Sequence, residues 1–138
     1  MVGASCTLKY ISKNDIDDNW QKALPLLDRA CLRSGERYNA EDLRNLIKTG
    51  DFQLWLVMDN DFAVAALVTE MLYWPKLREL RMIIMVGDKM EKWLDLLPLI
   101  ERYAKDIGCA KISGVARAGW GKMLKHYQKT HVFLEKDL

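Results

Sequence analysis

The 138 residues contain three cysteines and two histidines, so the chain has few soft metal ligands and little to build a disulfide framework from. Cys6, Cys31 and Cys109 show no C-x-x-C spacing, and each stands beside apolar residues. An odd number of scattered cysteines argues against a disulfide scaffold, and a zinc site needs three or four ligands. We therefore expect no metal, and we interpret the cysteines as small packing residues in a reducing compartment, the cytoplasm.

The chain also lacks a large excess of charge of one sign and a long apolar run. The formal net charge is +2, and no apolar run approaches the ~18 residues that span a bilayer. No basic and then apolar leader opens the chain. A membrane partner is not expected, and nucleic acid is not favoured. The acid-free stretch Lys111–Lys129 fits either an anionic ligand or a solvated surface.

Hydrophobic periodicity divides the chain into ten elements of one domain, residues 1–138. The predicted strands are Cys6–Ile11, Phe52–Met58, Phe62–Tyr73, Leu77–Val86, Lys111–Val115 and His131–Glu135. The predicted helices run from caps at Asn14–Asp18 to Ser34, from Asn39 to Gly50, from Lys89 to Ile107 and from Trp120 to Tyr127. A short run of strands therefore separates two helical regions.

This order predicts an α/β fold with a central mixed, mostly antiparallel, twisted sheet of about six strands and helices on both faces. Leu77–Val86 and Lys111–Val115 should lie parallel, because the helix Lys89–Ile107 joins them in a right-handed crossover. Pro98 should kink that helix. The predicted sheet therefore contains a single parallel pair.

The crossover after three antiparallel strands resembles the GNAT superfamily of N-acetyltransferases, most strongly from Phe52 to Leu138. The chain is also similar to the short, divergent GNAT-like proteins that phages encode. The resemblance implies acetyl-CoA as cosubstrate, bound where the two parallel strands splay apart. It implies that the pantetheine arm pairs with Leu80–Val86 and that the pyrophosphate rests on the start of the helix Lys89–Ile107.

The loop that would hold the pyrophosphate reads Met85-Val86-Gly87-Asp88-Lys89-Met90. It keeps one glycine of the family's Q/R-x-x-G-x-G/A signature, and Gly87 fits either close approach to a phosphate or a simple turn. Asp88, in a capping box with Glu91, should compete with phosphates for the helix N–H groups. The residues expected at the cofactor are Met85, Val86, Gly87, Lys89, Lys92 and Arg117.

Three of these residues have a second interpretation. Lys89 and Lys92 could meet phosphates from the first helical turn, or they could be solvated lysines on a polar face. Arg117 ends a predicted strand, where a guanidinium binds an anion or a neighbouring carboxylate. The sequence leaves both interpretations open for each residue.

Acyl transfer to an amine needs a base for the ammonium and an acid for the leaving thiolate. Glu70 is the first candidate base, since burial in an apolar strand would raise its pKa; the alternative is an ion pair with Arg78 or Arg81. Glu79 is a second choice. Tyr127, in a Tyr-x-Lys run that resembles one following the family's last helix, is the candidate acid, or else a packing residue.

These features predict an N-acyltransferase that moves an acetyl group from acetyl-CoA to a small-molecule or protein amine. The alternative is a GNAT-fold module that lacks catalysis and binds a protein partner, such as a virion or host component. A homo-oligomer is compatible with either function. An anion-binding or nucleic-acid-binding domain, based on Lys111–Lys129, is the third and weakest hypothesis.

Overall fold

The computed structural model describes residues 6–115 and 124–138. In chain order the elements are β1 (Thr7–Ile11), α1 (Ile16–Cys31), α2 (Ala40–Thr49), β2 (Phe52–Asp59), β3 (Phe62–Tyr73), β4 (Arg78–Gly87), α3 (Met90–Trp93), a 3-10 turn (Leu94–Leu96), α4 (Leu97–Asp106) and β5 (Lys111–Gly114). The first five predicted strands and the first two predicted helices are confirmed, with small differences at their ends.

The strands form one sheet in the order β1-β2-β3-β4-β5. The first three pairings are antiparallel, and β4 pairs with β5 in parallel, as the predicted crossover requires. Helices α1 and α2 cover one face, where Leu27, Leu43 and Val68 belong to one buried cluster. Helix α4 covers the other face, where Ile100 packs in a second cluster with Leu80. The predicted mixed sheet with helices on both faces is confirmed.

Helix α2 shows why the sequence signals at its ends were strong. The Asn39 side chain accepts a hydrogen bond from the Asp42 N–H, and the Asp42 carboxylate accepts one from the Asn39 N–H. Gly50 then ends the helix with a left-handed φ of 88°. Pro25 lies inside α1, which nevertheless continues to Cys31. The proline therefore does not end the helix.

The last two predicted elements are wrong where the structure describes them. No strand forms at residues 131–135, where Val132 and Leu134 are 68% and 92% exposed, so the described sheet has five strands rather than about six. A segment with the composition of a strand becomes a strand only when another strand satisfies its backbone, and this segment pairs with no described strand. Residues 124–127 form a turn closed from the Tyr127 N–H to the Leu124 carbonyl, while 120–123 lie outside the described residues.

The predicted helix Lys89–Ile107 is also interrupted. Helix α3 is four residues long, a 3-10 turn follows, and α4 carries Pro98 in its first turn, where a missing N–H costs no intrahelical bond. The capping box predicted for Asp88 and Glu91 is wrong. Lys89 occupies the N-cap position in a left-handed conformation, with φ of 56°, and no side chain caps α3.

Two features are absent from the part of the chain that the structure describes. No helix there has both the length and the apolar character needed to cross a bilayer. Within the same residues, no group of three or more histidine, cysteine or acidic side chains could hold a metal ion.

Candidate active site where β4 and β5 diverge

Strand β4 is longer than its parallel neighbour, and this difference opens the sheet. Pairing with β5 runs from Glu79 to Met82, and the Val115 N–H adds a bond to the Met82 carbonyl at 3.0 Å. We call residues 78–82 the lower half of β4 and residues 83–87 its upper half. Within the described residues, the upper half pairs with β3 alone. Its other edge therefore offers backbone groups to a ligand.

A β-bulge lies at the boundary between the two halves. Val68 of β3 pairs with Ile84 and the next residue, Thr69, pairs with Met82, so Ile83 is an extra residue in β4. Because of the bulge, the even-numbered side chains of β4 change from one face of the sheet to the other. Leu80 and Met82 belong to the cluster under α4, whereas Ile84 and Val86 belong to the cluster under α1 and α2. No composition signal at Ile83 announces this irregularity, and sequence reasoning missed it.

The bulge turns Met85 towards the α4 face, beside the end of β5. A Cβ atom placed on Gly114 would lie 3.5 Å from both the Met85 and the Met82 methyl carbons. Met85 is partly exposed, whereas Val86 is only 3% exposed in the opposite core. Of this neighbouring pair of predicted cofactor residues, Met85 therefore presents its side chain beside the opening. Val86 can contact a ligand there only through its backbone.

Position 87 requires a glycine because the neighbouring strand β3 lies too close for a side chain. Its φ is 149°, and a Cβ there would stand 2.5 Å from the Ala65 Cα, the Ala65 Cβ and the Val64 carbonyl oxygen. Residues with a side chain rarely adopt that φ, and the contact is with backbone that cannot swing away. The close approach that this glycine permits is therefore to β3.

The Asp88 carboxylate lies beside α1 rather than on the helix N–H groups. Arg29 Nη1 donates to its two oxygens at 3.3 and 3.4 Å, and Arg29 Nη2 donates to the Gly87 carbonyl at 3.4 Å. The Trp93 ring N–H donates to the Asp88 carbonyl at 2.9 Å, and the Asp88 N–H donates to the Val64 carbonyl. These bonds fix the loop on both faces of the sheet.

The remaining residues predicted at the cofactor lie beyond this loop. Lys89 and Lys92 are exposed, and the Lys92 N–H donates to the Lys89 carbonyl at 2.8 Å. Arg117 lies outside the described residues. The structure therefore gathers Met85, Val86, Gly87 and Lys89 at the end of β4, with Lys92 one turn further on.

Four side chains form a polar cluster at the lower half of β4: Trp74, Glu79, Arg81 and Ser113. Glu79 accepts hydrogen bonds from Ser113 Oγ at 2.5 Å, Trp74 Nε1 at 3.1 Å and Arg81 Nη2 at 3.2 Å. Burial raises the pKa of Glu79, but these bonds and the Arg81 charge outweigh it and lower that pKa below its ordinary value. A carboxylate so well satisfied is a poor base.

Glu70 lies next to this cluster without joining it. It stands directly opposite Arg81 in the β3–β4 register, and Arg81 stands opposite Ser113 of β5. The ion pair suggested as the alternative for Glu70 does not form, because Arg81 bonds Glu79 and Ser113 instead. The half-buried Glu70 carboxylate makes no hydrogen bond or ion pair within residues 6–115 and 124–138.

Tyr127 packs against the α4 side of the sheet. Its hydroxyl donates to Glu101 Oε2 at 2.7 Å. Burial, followed by the bond to the Glu101 carboxylate and its charge, raises the pKa of Tyr127 well above its ordinary value. The hydroxyl therefore stays protonated, as an acid must, but it is engaged with α4.

The fold is shared with solved acetyltransferases. An aminoglycoside acetyltransferase from an uncultured soil metagenomic sample, in complex with sisomicin, is 14% identical, with 96% of each chain covered and a TM-score of 0.69. A GNAT family acetyltransferase of Staphylococcus aureus is 17% identical, with 97% of this chain and 99% of that chain covered and a TM-score of 0.69. A ribosomal-protein-alanine N-acetyltransferase from Brucella melitensis is 11% identical, with 97% and 98% covered and a TM-score of 0.70.

Neither a protein-family model nor a curated protein matches the sequence. At these identities the structural likeness establishes the fold, which is the GNAT acetyltransferase fold that the crossover suggested. Activity has to be argued from the site.

Proposed function

We propose that this protein is an N-acyltransferase that moves an acetyl group from acetyl-CoA to an amine. The unpaired edge of the upper half of β4 carries the proposal. The pantetheine arm of acetyl-CoA is an extended chain with two amides, and such a chain can add to a free strand edge through backbone hydrogen bonds. The contact of Asp88 with Arg29 supports the proposal further, because that carboxylate does not occupy the helix N–H groups.

In the proposed reaction a carbon–nitrogen bond forms and the carbon–sulfur bond of the thioester breaks. The amine proton goes to the Glu70 carboxylate, which lies in β3 two residues beyond Val68, the partner of Ile84. The departing sulfur takes a proton from the Tyr127 hydroxyl, which has to leave Glu101 to supply it. Both roles are proposals that rest on position and protonation state.

An amine acceptor, either a small molecule or a protein, is supported by the likeness to an aminoglycoside acetyltransferase and a ribosomal-protein-alanine N-acetyltransferase. The backbone edge favours no particular amine. The acceptor class is therefore best found by a panel that includes aminoglycosides, polyamines and peptides.

Ligand stabilisation and thiol release together test the function. Acetyl-CoA at about 100 times its Kd should raise the free energy of unfolding by about 2.7 kcal/mol. The isosteric variant Glu70→Gln should keep that stabilisation while slowing thiol release at least about 100-fold with an accepted amine. No stabilisation at millimolar acetyl-CoA would contradict the proposal. An unchanged rate in Glu70→Gln would remove Glu70 from it.

A GNAT-fold module without catalysis is the second candidate, and the Asp88 carboxylate favours it. That side chain is 68% exposed beside the loop that the phosphates would approach. A negative charge there repels an anionic ligand. This candidate predicts neither stabilisation by acetyl-CoA nor thiol release with any amine, and a protein partner, as in a virion or a host cell, would take the place of substrate.

A further inference from the structure

Basic side chains are concentrated at one corner of the sheet, where β4 and β5 begin and α4 ends. We call residues 73–78 and 102–111 the basic corner. They carry one acidic side chain, Asp106, and five basic ones: Lys76, Arg78, Arg102, Lys105 and Lys111. The formal net charge of the whole chain is only +2, so the rest of the chain is acidic on balance. A positive potential gathered at one place attracts a polyanion that the average charge would not.

Backbone and side-chain contacts hold the two segments of the basic corner together. The Ala110 N–H donates to the Arg78 carbonyl at 2.9 Å, and Lys111 stands opposite Glu79 in the parallel pairing of β4 with β5. A Cβ on Gly108 would lie 2.5 Å from Arg78 Nη2, so the Arg78 guanidinium lies against the turn that ends α4. The cations of the two segments therefore share one surface.

The five basic side chains have no acidic partner among the described residues. All five are exposed, and none makes an ion pair within residues 6–115 and 124–138. Other basic residues differ: Arg44 and Lys48 both pair with Asp17, and Arg81, next to the basic corner, pairs with Glu79. Exposed cations without internal partners can neutralise the phosphates of a ligand.

Two aromatic side chains are exposed beside these cations. Tyr73 is 75% exposed and stands opposite Arg78 in the β3–β4 register. Trp74 is 51% exposed in the turn that follows, where its ring N–H donates to Glu79. A nucleic-acid base stacks on such rings when its faces are not already stacked in a duplex, and a row of cations follows the phosphates of the same strand.

We propose that the basic corner binds single-stranded nucleic acid, with phosphates on its lysines and arginines and bases stacked on Tyr73 and Trp74. An anionic membrane surface fits this corner less well. Lys76 stands beyond both rings in the turn closed from the Trp74 N–H to the Leu77 carbonyl, so its charge would be buried with the rings. The basic corner lies at the opposite end of β4 from the proposed acetyl-CoA edge, and the binding does not depend on acyl transfer.

Fluorescence anisotropy of the full chain with a labelled single strand of about 15 nucleotides, as DNA and as RNA, tests the proposal. At 50 mM salt the Kd should be about 10–100 µM, as for sequence-independent binding. Raising the salt to 200 mM should weaken binding at least about tenfold, because several phosphates are neutralised.

Matched variants separate stacking from charge. Tyr73→Ala should weaken single-strand binding at least about fivefold and leave binding of the corresponding duplex unchanged. Phe62→Ala is its control, since Phe62 is 76% exposed at the other end of the sheet. Lys76→Ala and Lys105→Ala should each lower the slope of log K against log salt by about 0.7, whereas Lys22→Ala, an exposed lysine of α1, should not change it.

Urea unfolding of each variant ensures that only folded proteins are compared. Wild type that binds no oligonucleotide at 50 mM salt, or a Tyr73→Ala variant with the wild-type Kd, would overturn the proposal. A Lys22→Ala variant as weakened as Lys105→Ala would also overturn it, because the charge would then act without a defined site. Binding to phosphatidylserine vesicles but not to oligonucleotides would assign the corner to a membrane instead.

Discussion

The two halves of β4 differ in how many of their hydrogen-bonding groups have partners within the protein. The lower half has a strand on each side, and its polar side chains are closed into a cluster in which Glu79 accepts three hydrogen bonds. Among residues 6–115 and 124–138, the upper half has β3 on one side only, and it ends in a loop that Arg29 ties to α1. Five residues of strand therefore hold a structural site, and the next five hold an open edge. The half with charged side chains is the one whose groups are paired within the protein, and the half without charged side chains is where a ligand can bind.

Among the substitutions that compare the two halves, replacing a glycine by alanine in the upper half should change the free energy of unfolding most. Gly87→Ala would force backbone of the upper half away from Ala65 and should lower the free energy of unfolding by about 3 kcal/mol. Gly114→Ala, beside the lower half, meets only methionine methyls at 3.5 Å and should change it by less than about 1 kcal/mol. Urea unfolding measures both, and equal losses would show that Gly87 is not constrained by β3.

The polar cluster should respond less strongly. Ser113→Ala removes a donor to the nearly buried Glu79 and an acceptor for Arg81, so it should cost about 1–2 kcal/mol. Ser12→Ala removes an exposed bond to Asp15 and should cost less than about 0.5 kcal/mol. The same unfolding experiment compares them, and a Ser113 variant as stable as the Ser12 variant would mean that the cluster is not structural.

The dependence of stability on pH should be smaller again. Because the pKa of Glu79 is lower in the folded chain than its ordinary 4.5, the unfolded chain binds more protons between the two values. The contribution of Glu79 is therefore complete above about pH 4.5 and is lost as the pH falls through the folded pKa. Unfolding curves from pH 7 to pH 3 should show a steeper acid loss in the wild type than in Glu79→Gln. Parallel curves would contradict the claim that the cluster stabilises the ionised Glu79 carboxylate.

The smallest effect is expected at the end of the upper half. Asp88→Asn removes an exposed negative charge near the proposed phosphates and should tighten acetyl-CoA binding roughly twofold to fivefold at low salt. Asp106→Asn, at the last residue of α4, changes the net charge equally and should leave the Kd unchanged. Calorimetry at two salt concentrations checks both. Weaker binding of Asp88→Asn would show that the phosphates do not approach this loop.

The sequence predicted most of the fold because the signals were local. The cap at Asn39 and the glycine at position 50 bound α2 closely, and a long apolar run between two turns defined β3. The failures came where the outcome depended on a distant partner. The segment 131–135 has the composition of a strand but pairs with no described strand, and Asp88 resembles a cap but bonds Arg29, 59 residues away.

The site was predicted in its position and only partly in its detail. Order and spacing located the loop at Gly87, yet nothing in the sequence announced the bulge at Ile83 that turns Met85 to the opening. The choice of Glu79 as a second base could not be judged without knowing that Trp74, Arg81 and Ser113 converge on it. Such convergence is a property of strand register.

Backbone hydrogen exchange with and without acetyl-CoA tests the central claim most directly, that the upper half of β4 is a ligand-binding edge. With saturating acetyl-CoA, amides of residues 83–87 should exchange more slowly, while those of residues 78–82, already paired on both sides, should be unchanged. Identical exchange of the upper half with and without millimolar acetyl-CoA, or protection confined to other parts of the chain, would contradict the account.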